Sequence, residues 1–292
     1  MISLEKALDE MARRGKFAEE QISQKRPDLL DLYFTYQNEA LEARRLLHTS
    51  LLKLDSGAQI LEIGGGILAL ATQLASEGFR VTSVEPIGEG FSGISIIMQI
   101  FSEIMENEDS IFELIESPIE DYELDKKFDF IFSINVMEHL KDPYSVLLQA
   151  IEKLEQGGEY RFICPNYDFP YEPHFGKFLY RRGGGSFVLP RARATHHSYK
   201  DAEDLFDSIN WITVKKIRQF SKKHNFEVNF NRHAFSQLLI RAFDDELIRK
   251  RHPFLATLLK PIALLRISFL ASLLPVEIQP TMDVSIEKSK SV

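Results

Sequence analysis

The chain has 292 residues, 44% of them hydrophobic, enough to bury a sizeable core as one large domain or two small ones. With 43 acidic against 35 basic residues the net charge is −8, which excludes a global basic field and makes nucleic acid an unexpected partner. A single cysteine, Cys164, excludes an intrachain disulfide, and no apolar run reaches bilayer-spanning length. Met1–Lys6 lacks the apolar core of a secretory signal, so a cytoplasmic location is expected.

Residues 3–50 are rich in Glu, Ala, Leu, Arg and Lys and read as helices interrupted near Pro27. An alternating pattern then begins. Strands are predicted at Gln59–Ile63, Phe79–Val84, Ile111–Ile115 and Phe128–Ile134, with helices at Ile67–Ser76, Phe91–Met105 and Pro143–Leu154 between or after them. Gly157-Gly158 is expected to turn the chain into a fifth strand, Glu159–Cys164. Strands alternating with helices imply right-handed crossovers and a mostly parallel sheet, an α/β class. Regularity fails from Asn166 to Asn210, a stretch too long for an ordinary connection and therefore expected to be functional or partly mobile. A helix over Trp211–His224, a sixth strand over Phe226–Phe230, a Leu-rich helical stretch over His233–Leu274 and a last strand over Met282–Ile286 complete the pattern.

The segment Ile60-Leu61-Glu62-Ile63-Gly64-Gly65-Gly66 is strand, then glycine turn, then helix. Gly64 and Gly66 admit a ligand where a Cβ would block it, and the N–H groups opening the next helix suit an anionic group. About twenty residues on, Glu85-Pro86 ends the second strand, where a carboxylate can accept both hydroxyls of a ribose. Any adenosine cofactor fits this much, and Gly64, Gly66 and Ala69 also satisfy the pattern of dinucleotide-binding sheets. Glu62 discriminates: a carboxylate at the strand tip is favourable beside an amino group and a sulfonium but repulsive beside a pyrophosphate.

These residues resemble the class I methyltransferases, which use S-adenosylmethionine. Leu61-Glu62-Ile63-Gly64-x-Gly66 looks like the family's first motif and Val84-Glu85 like its second. Phe128-Asp129-x-Ile131-x-Ser133-x-x-Val136-x-Glu138-His139-x-x-Asp142-Pro143 is similar to a segment of the branch containing the ubiquinone-pathway O-methyltransferases. The resemblance implies a doubly wound, seven-stranded, Rossmann-like sheet with N-terminal helices and helical substrate-side insertions. It places Glu62 and Gly64–Gly66 at the methionine part of the cofactor and Glu85 at the ribose. Ser117, Pro118 and Ile119 would lie at the adenine, and Asn135 and Val136 beside the cofactor. Two departures stand out: Leu68 where many members have another glycine, and Ser117 where many have an acid.

For the acceptor, His174 follows the fifth strand and is a candidate general base, with Tyr171 and Glu172 as substrate contacts. His139 is a second catalytic candidate. Glu138 and His139 resemble part of a metal cluster, but Asn135 replaces its other acid, so no metal is expected. Arg181, Arg182, His196 and His197, with Arg191 and Arg193, form a positive cluster suited to an acidic, sugar- or phosphate-bearing acceptor. Apolar residues at helical spacing over 252–274 suit a cap, a dimer surface or peripheral membrane contact.

The resulting expectation is a methyltransferase acting on a small molecule, with oxygen favoured. Its alternatives are a non-catalytic binding protein of the same fold and an NAD(P)-dependent oxidoreductase. The organisation expected is a helical segment 1–50, a cofactor core 51–165, a substrate loop region 166–210, a core helix and strand 211–231, a helical insertion 232–275, and a last strand and tail 276–292.

Overall fold

The computed structural model describes residues 2–86, 92–107, 112–175, 177–178, 205–244 and 268–289. The chain divides into two compact units: residues 1–134, 145–160 and 287–292 form one, residues 135–144 and 161–286 the other.

The first unit opens with α1 (Leu4–Lys25) and α2 (Leu30–Leu51), separated by a 3₁₀ turn at Pro27–Leu29. Ser3 caps α1, its hydroxyl accepting from the Lys6 N–H at 3.2 Å. Pro27 cannot donate to a continuing helix, which sets the break. The alternation then follows as β1 (Gln59–Ile63), α3 (Ala69–Ser76), β2 (Arg80–Val84), α4 (Ser92–Asn107), β3 (Phe112–Ile115) and β4 (Phe128–Ile134), with α5 (Pro143–Glu152) leading to β5 (Leu154–Pro165). β1 pairs in parallel with β2 and with β4, and β2 with β3. Ile60, Val81, Phe130 and Phe132 from the strands meet Leu47 and Leu51 of α2 and Leu70 and Leu74 of α3 in one apolar core.

Polar contacts fix how the N-terminal helices dock in this unit. Arg44 of α2 forms a bidentate pair with Glu77 at the end of α3, both bonds at 2.8 Å and both side chains fully buried. Arg14 of α1 donates to Gln73 of α3 at 2.7 Å, and the Tyr33 hydroxyl donates to the Gly15 carbonyl.

The second unit carries a two-residue hairpin, β6 (Tyr171–Glu172) with β7 (Lys177–Phe178), then α6 (Val214–His224), β8 (Asn229–Phe230), α7 (Ala234–Asp244) and β9 (Thr281–Glu287). β8 and β9 are antiparallel. The seven long-range strands follow the order β3-β2-β1-β4-β5-β9-β8, the mostly parallel, doubly wound sheet expected. The order reverses at β1 and β4, and ligands of such sheets bind beyond the carboxyl ends of the strands at that switch point.

Three starts differ from the sequence reading by three residues or more. β5 starts at Leu154 instead of turning at Gly157-Gly158, because both glycines bond across to Lys288. α6 starts at Val214, since Thr213 caps it by accepting from the Lys216 N–H. β8 is only two residues long, because Asn225 takes a left-handed cap (φ 55°) and Phe226 donates back to Ser221, so that segment closes α6. In the Leu-rich stretch α7 covers Ala234–Asp244 and a 3₁₀ turn spans Ser268–Leu273. The intervening residues, like Arg181, Arg182, Arg191, Arg193, His196 and His197, lie outside the described ones.

Candidate active site

Two regions gather the chemistry. The first is the turn after β1. Glu62 is buried at the strand tip, and its Oε2 accepts from the Ser83 hydroxyl of β2 at 2.9 Å. Burial pushes its pKa up to about 8, against the Ser83 bond and with help from the charge of Glu85. Glu85 is also buried. Loss of solvent raises it to about 7, while the N–H groups of Gly66 and Gly65 hold it down; the Gly66 bond measures 3.0 Å.

This turn has no room for side chains. A Cβ on Gly65 would stand 2.1 Å from Ser83 Oγ and 3.2 Å from Glu62 Oε2, and Gly66 has φ +54° with Tyr36 of α2 3.0 Å from where its Cβ would be. Leu68, the departure noted above, adopts the glycine-type conformation itself (φ 64°) and opens α3. That backbone costs about 1–2 kcal/mol, offset by complete burial of its side chain. Two carboxyl groups around a bare backbone turn fit a ligand bearing an ammonium group and a ribose diol.

The second region lies in the other unit. His174 sits at the tip of the β6–β7 hairpin. Its Nδ1 lies 2.5 Å from Glu172 Oε1, and its Nε2 lies 3.2 Å from His139 Nε2. Glu172 is fully buried; it also accepts from the Tyr167 hydroxyl at 3.2 Å and from the Phe175 N–H at 2.7 Å. His139 Nδ1 lies 3.1 Å from the Ser208 hydroxyl, whose own hydrogen goes to the Leu205 carbonyl at 2.7 Å. Burial, then the neighbouring His174, pulls the His139 pKa down to about 4, against the opposing charge of Glu172. Glu138 is fully buried beside it, and its carboxylate and the two imidazoles bring ligand atoms within 4.8 Å of one another.

The backbone around these groups is pinned. Asn210 donates from its side chain to the Met137 and Leu140 carbonyls and from its N–H to Glu138 O. Buried Asn166, directly after β5, donates to the carbonyls of Val276, Glu277 and Gln279 and accepts from the N–H groups of Asp168 and Val214.

A family model described as a methyltransferase domain matches residues 34–229, two-thirds of the chain. The chain belongs to that family. An uncharacterised protein of Mycobacterium tuberculosis is 36% identical to this methyltransferase over 253 residues, 86% of this chain and 85% of that one. A ubiquinone biosynthesis O-methyltransferase of Rickettsia typhi is 27% identical over 103 residues, 35% of this chain and 39% of that protein. Phosphoethanolamine N-methyltransferase 2 of Haemonchus contortus, solved with phosphomonomethylethanolamine and S-adenosylhomocysteine, shares the fold at a TM-score of 0.50 and 17% identity. That similarity covers 82% of this chain and half of the Haemonchus one. S-Adenosylmethionine is the methyl donor of this methyltransferase.

Of the other residues singled out from the sequence, Ser117 is part-buried with its hydroxyl on the Pro118 carbonyl (3.1 Å), and Ile119 is buried at the start of a 3₁₀ turn. Asn135 is exposed and left-handed (φ 55°), its N–H donating to Ile163 O at 2.8 Å; Val136 is half-buried. Tyr171 is half-buried, with its phenol pushed up to about 12 by burial and by Glu172, so it is no base near neutrality. Ser83, Tyr36, Tyr167, Ser208 and Asn210 were not anticipated. Ser83 alone had a signal, since it faces Glu62 in the β1–β2 register. No helix among the described residues is long and apolar enough to cross a membrane.

Proposed function

We propose that this methyltransferase methylates an oxygen of a small-molecule acceptor, whose hydroxyl loses its proton at the His139–His174 pair. Glu62, Gly64, Gly65 and Gly66 hold the methionine end of the donor and Glu85 its ribose, with Pro86, Ser117, Pro118, Ile119, Asn135 and Val136 completing the contacts. The bound donor supplies a sulfonium-activated methyl for in-line displacement, so the chain's own task is alignment and acceptor activation.

The observation that carries the reading is the His174 imidazole held by a buried carboxylate on one nitrogen and facing a second imidazole with the other. An amine acceptor is already nucleophilic when neutral, whereas a hydroxyl gains most from such a base. Glu172 positions His174 by accepting from its Nδ1, and Tyr167 and the Phe175 N–H hold Glu172 in turn. The positive residues Arg181, Arg182, His196 and His197, on sequence grounds alone, favour an acidic or phosphate-bearing acceptor, with Tyr171 as a further contact.

The test is turnover of methyl-¹³C S-adenosylmethionine with a panel of phenols, hydroxy acids, phosphorylated alcohols and amines. The carbon shift of the product separates O-methyl from N- and C-methyl. Label found only on nitrogen or carbon would refute the oxygen assignment.

A further inference from the structure

We propose that a cavity of about 440 Å³ between α6 and β8 binds the phosphate group of a ligand that also carries an apolar body. Its size is that of a small-molecule site. Arg218, Ser221 and Lys222 of α6 line it, with Phe226–Phe230, Arg232 and Val276 of a 3₁₀ turn at Val276–Ile278. All belong to the second unit, and none is part of the glycine turn or the imidazole cluster. β8 is the last strand in the sheet order.

The lining carries three cations and one acid, Glu227, in a chain whose net charge is −8. An anion repelled by the rest of such a surface collects where the sign reverses. Arg218 is already oriented: its Nη1 lies 3.1 Å from Glu277 Oε1, and its guanidinium sits 5.1 Å from the centroid of the Phe230 ring. Lys222, one helical turn on, and Arg232 form no ion pair among the described residues. The turn that carries Arg232 is fixed. Its carbonyl accepts from the Gln279 amide at 3.1 Å, and the neighbouring Asn231 amide donates to Asp283 at 2.8 Å. Two guanidinium forks and an ammonium suit the three terminal oxygens of a phosphate ester, whereas a carboxylate has only two.

The apolar body follows from the rest of the lining, where Phe226, Val228, Phe230 and Val276 offer hydrocarbon beside the cations. Apolar surface continues past them. Leu274 and Ile278 are 38% and 50% exposed, and the Gln279 amide that holds the Arg232 carbonyl also donates to the Leu274 carbonyl at 3.0 Å. Exposed aliphatic groups next to unpaired cations match an amphiphilic phosphate ester better than a bare phosphate ion. A soluble ester and a lipid headgroup share this chemistry. The site does not rest on the oxygen reading.

The experiment is calorimetric titration of the full chain with hexyl phosphate and with inorganic phosphate, alongside co-sedimentation with mixed phosphatidylcholine–phosphatidic acid vesicles. Hexyl phosphate should bind saturably and about tenfold or more tighter than inorganic phosphate. Lys222→Gln and Arg232→Gln should each weaken it by about tenfold, and the double variant should bind none. S-Adenosylhomocysteine affinity, unchanged in each variant, reports that the fold is intact. Hexyl phosphate binding with the vesicles left unbound assigns a soluble ester. Vesicle binding that the double variant loses assigns a lipid headgroup. No saturable binding in either arm overturns the site, as does binding that the double variant retains. Equal affinity for the two phosphates refutes the apolar body.

Discussion

The glycine turn and the imidazole cluster use the same physical lever in opposite directions. At the turn, burial raises two acids, Glu62 to about 8 and Glu85 to about 7, towards their neutral forms. At the cluster, burial lowers a base, His139, to about 4, again towards the neutral form. In both regions burial therefore favours the neutral form of the titrating group. The construction differs too. The turn is a run of consecutive residues on strand, loop and helix, whereas His139 and His174 stand 35 positions apart and meet only through loops.

The comparison can be broken by showing that the two regions are not separable. The largest expected effect is at the cluster: His174→Ala should lower turnover by about 10²–10⁴-fold. S-Adenosylhomocysteine affinity, read by calorimetry, should stay within about twofold. Equal loss of both would merge the regions. Next, Glu85→Ala should weaken donor binding by about 1–3 kcal/mol, roughly 5–160-fold, with acceptor-independent behaviour. Unchanged affinity would take Glu85 out of the site.

The smaller effects sharpen the charge argument. An ionised carboxylate at position 62 or 85 is the form that attracts the ligand, so donor affinity should climb about tenfold between pH 6.5 and 8. Titration calorimetry across that range should also detect protons released on binding, and Glu62→Gln should flatten the slope. Stability runs the other way. The folded-state value of Glu62 stands above the ordinary 4.5, so the protonated carboxyl stabilises fully below about pH 4.5 and this contribution is lost as pH climbs through about 8. Ligand-free Glu62→Gln should therefore melt higher than wild type at pH 8.5, by about 2–4 °C, with little difference at pH 4.5. A lower melting point at pH 8.5 would show that Glu62 is not held neutral.

Much of the fold was legible because its signals are local. β1 and β4 are mostly apolar and buried along most of their length, and their bounds at Gln59–Ile63 and Phe128–Ile134 match the reading. The turn was legible for the same reason, since glycines, acid and strand follow in one stretch. Ser208 and Asn210 were not legible. Their roles come from hydrogen bonds across 73 residues for Asn210 to Met137 and 69 for Ser208 to His139, and no periodicity encodes such meetings. The same limit hid the meeting of His139 with His174, which the hairpin brings about. Glu172, anticipated at the substrate, is fully enclosed and committed to His174.

The docking of α1 has a practical meaning for modularity. The family likeness begins at residue 34, which invites trimming everything before it. Yet Met11, Ala18 and Ile22 of α1 are buried in the cores beneath the glycine turn, and Arg14 is the partner of Gln73. A chain cut at residue 34 would strip these neighbours away and lay bare a contiguous apolar strip beside α2, α3 and α4, an invitation to self-association. The evolutionary module and the folding module of this protein thus have different first residues.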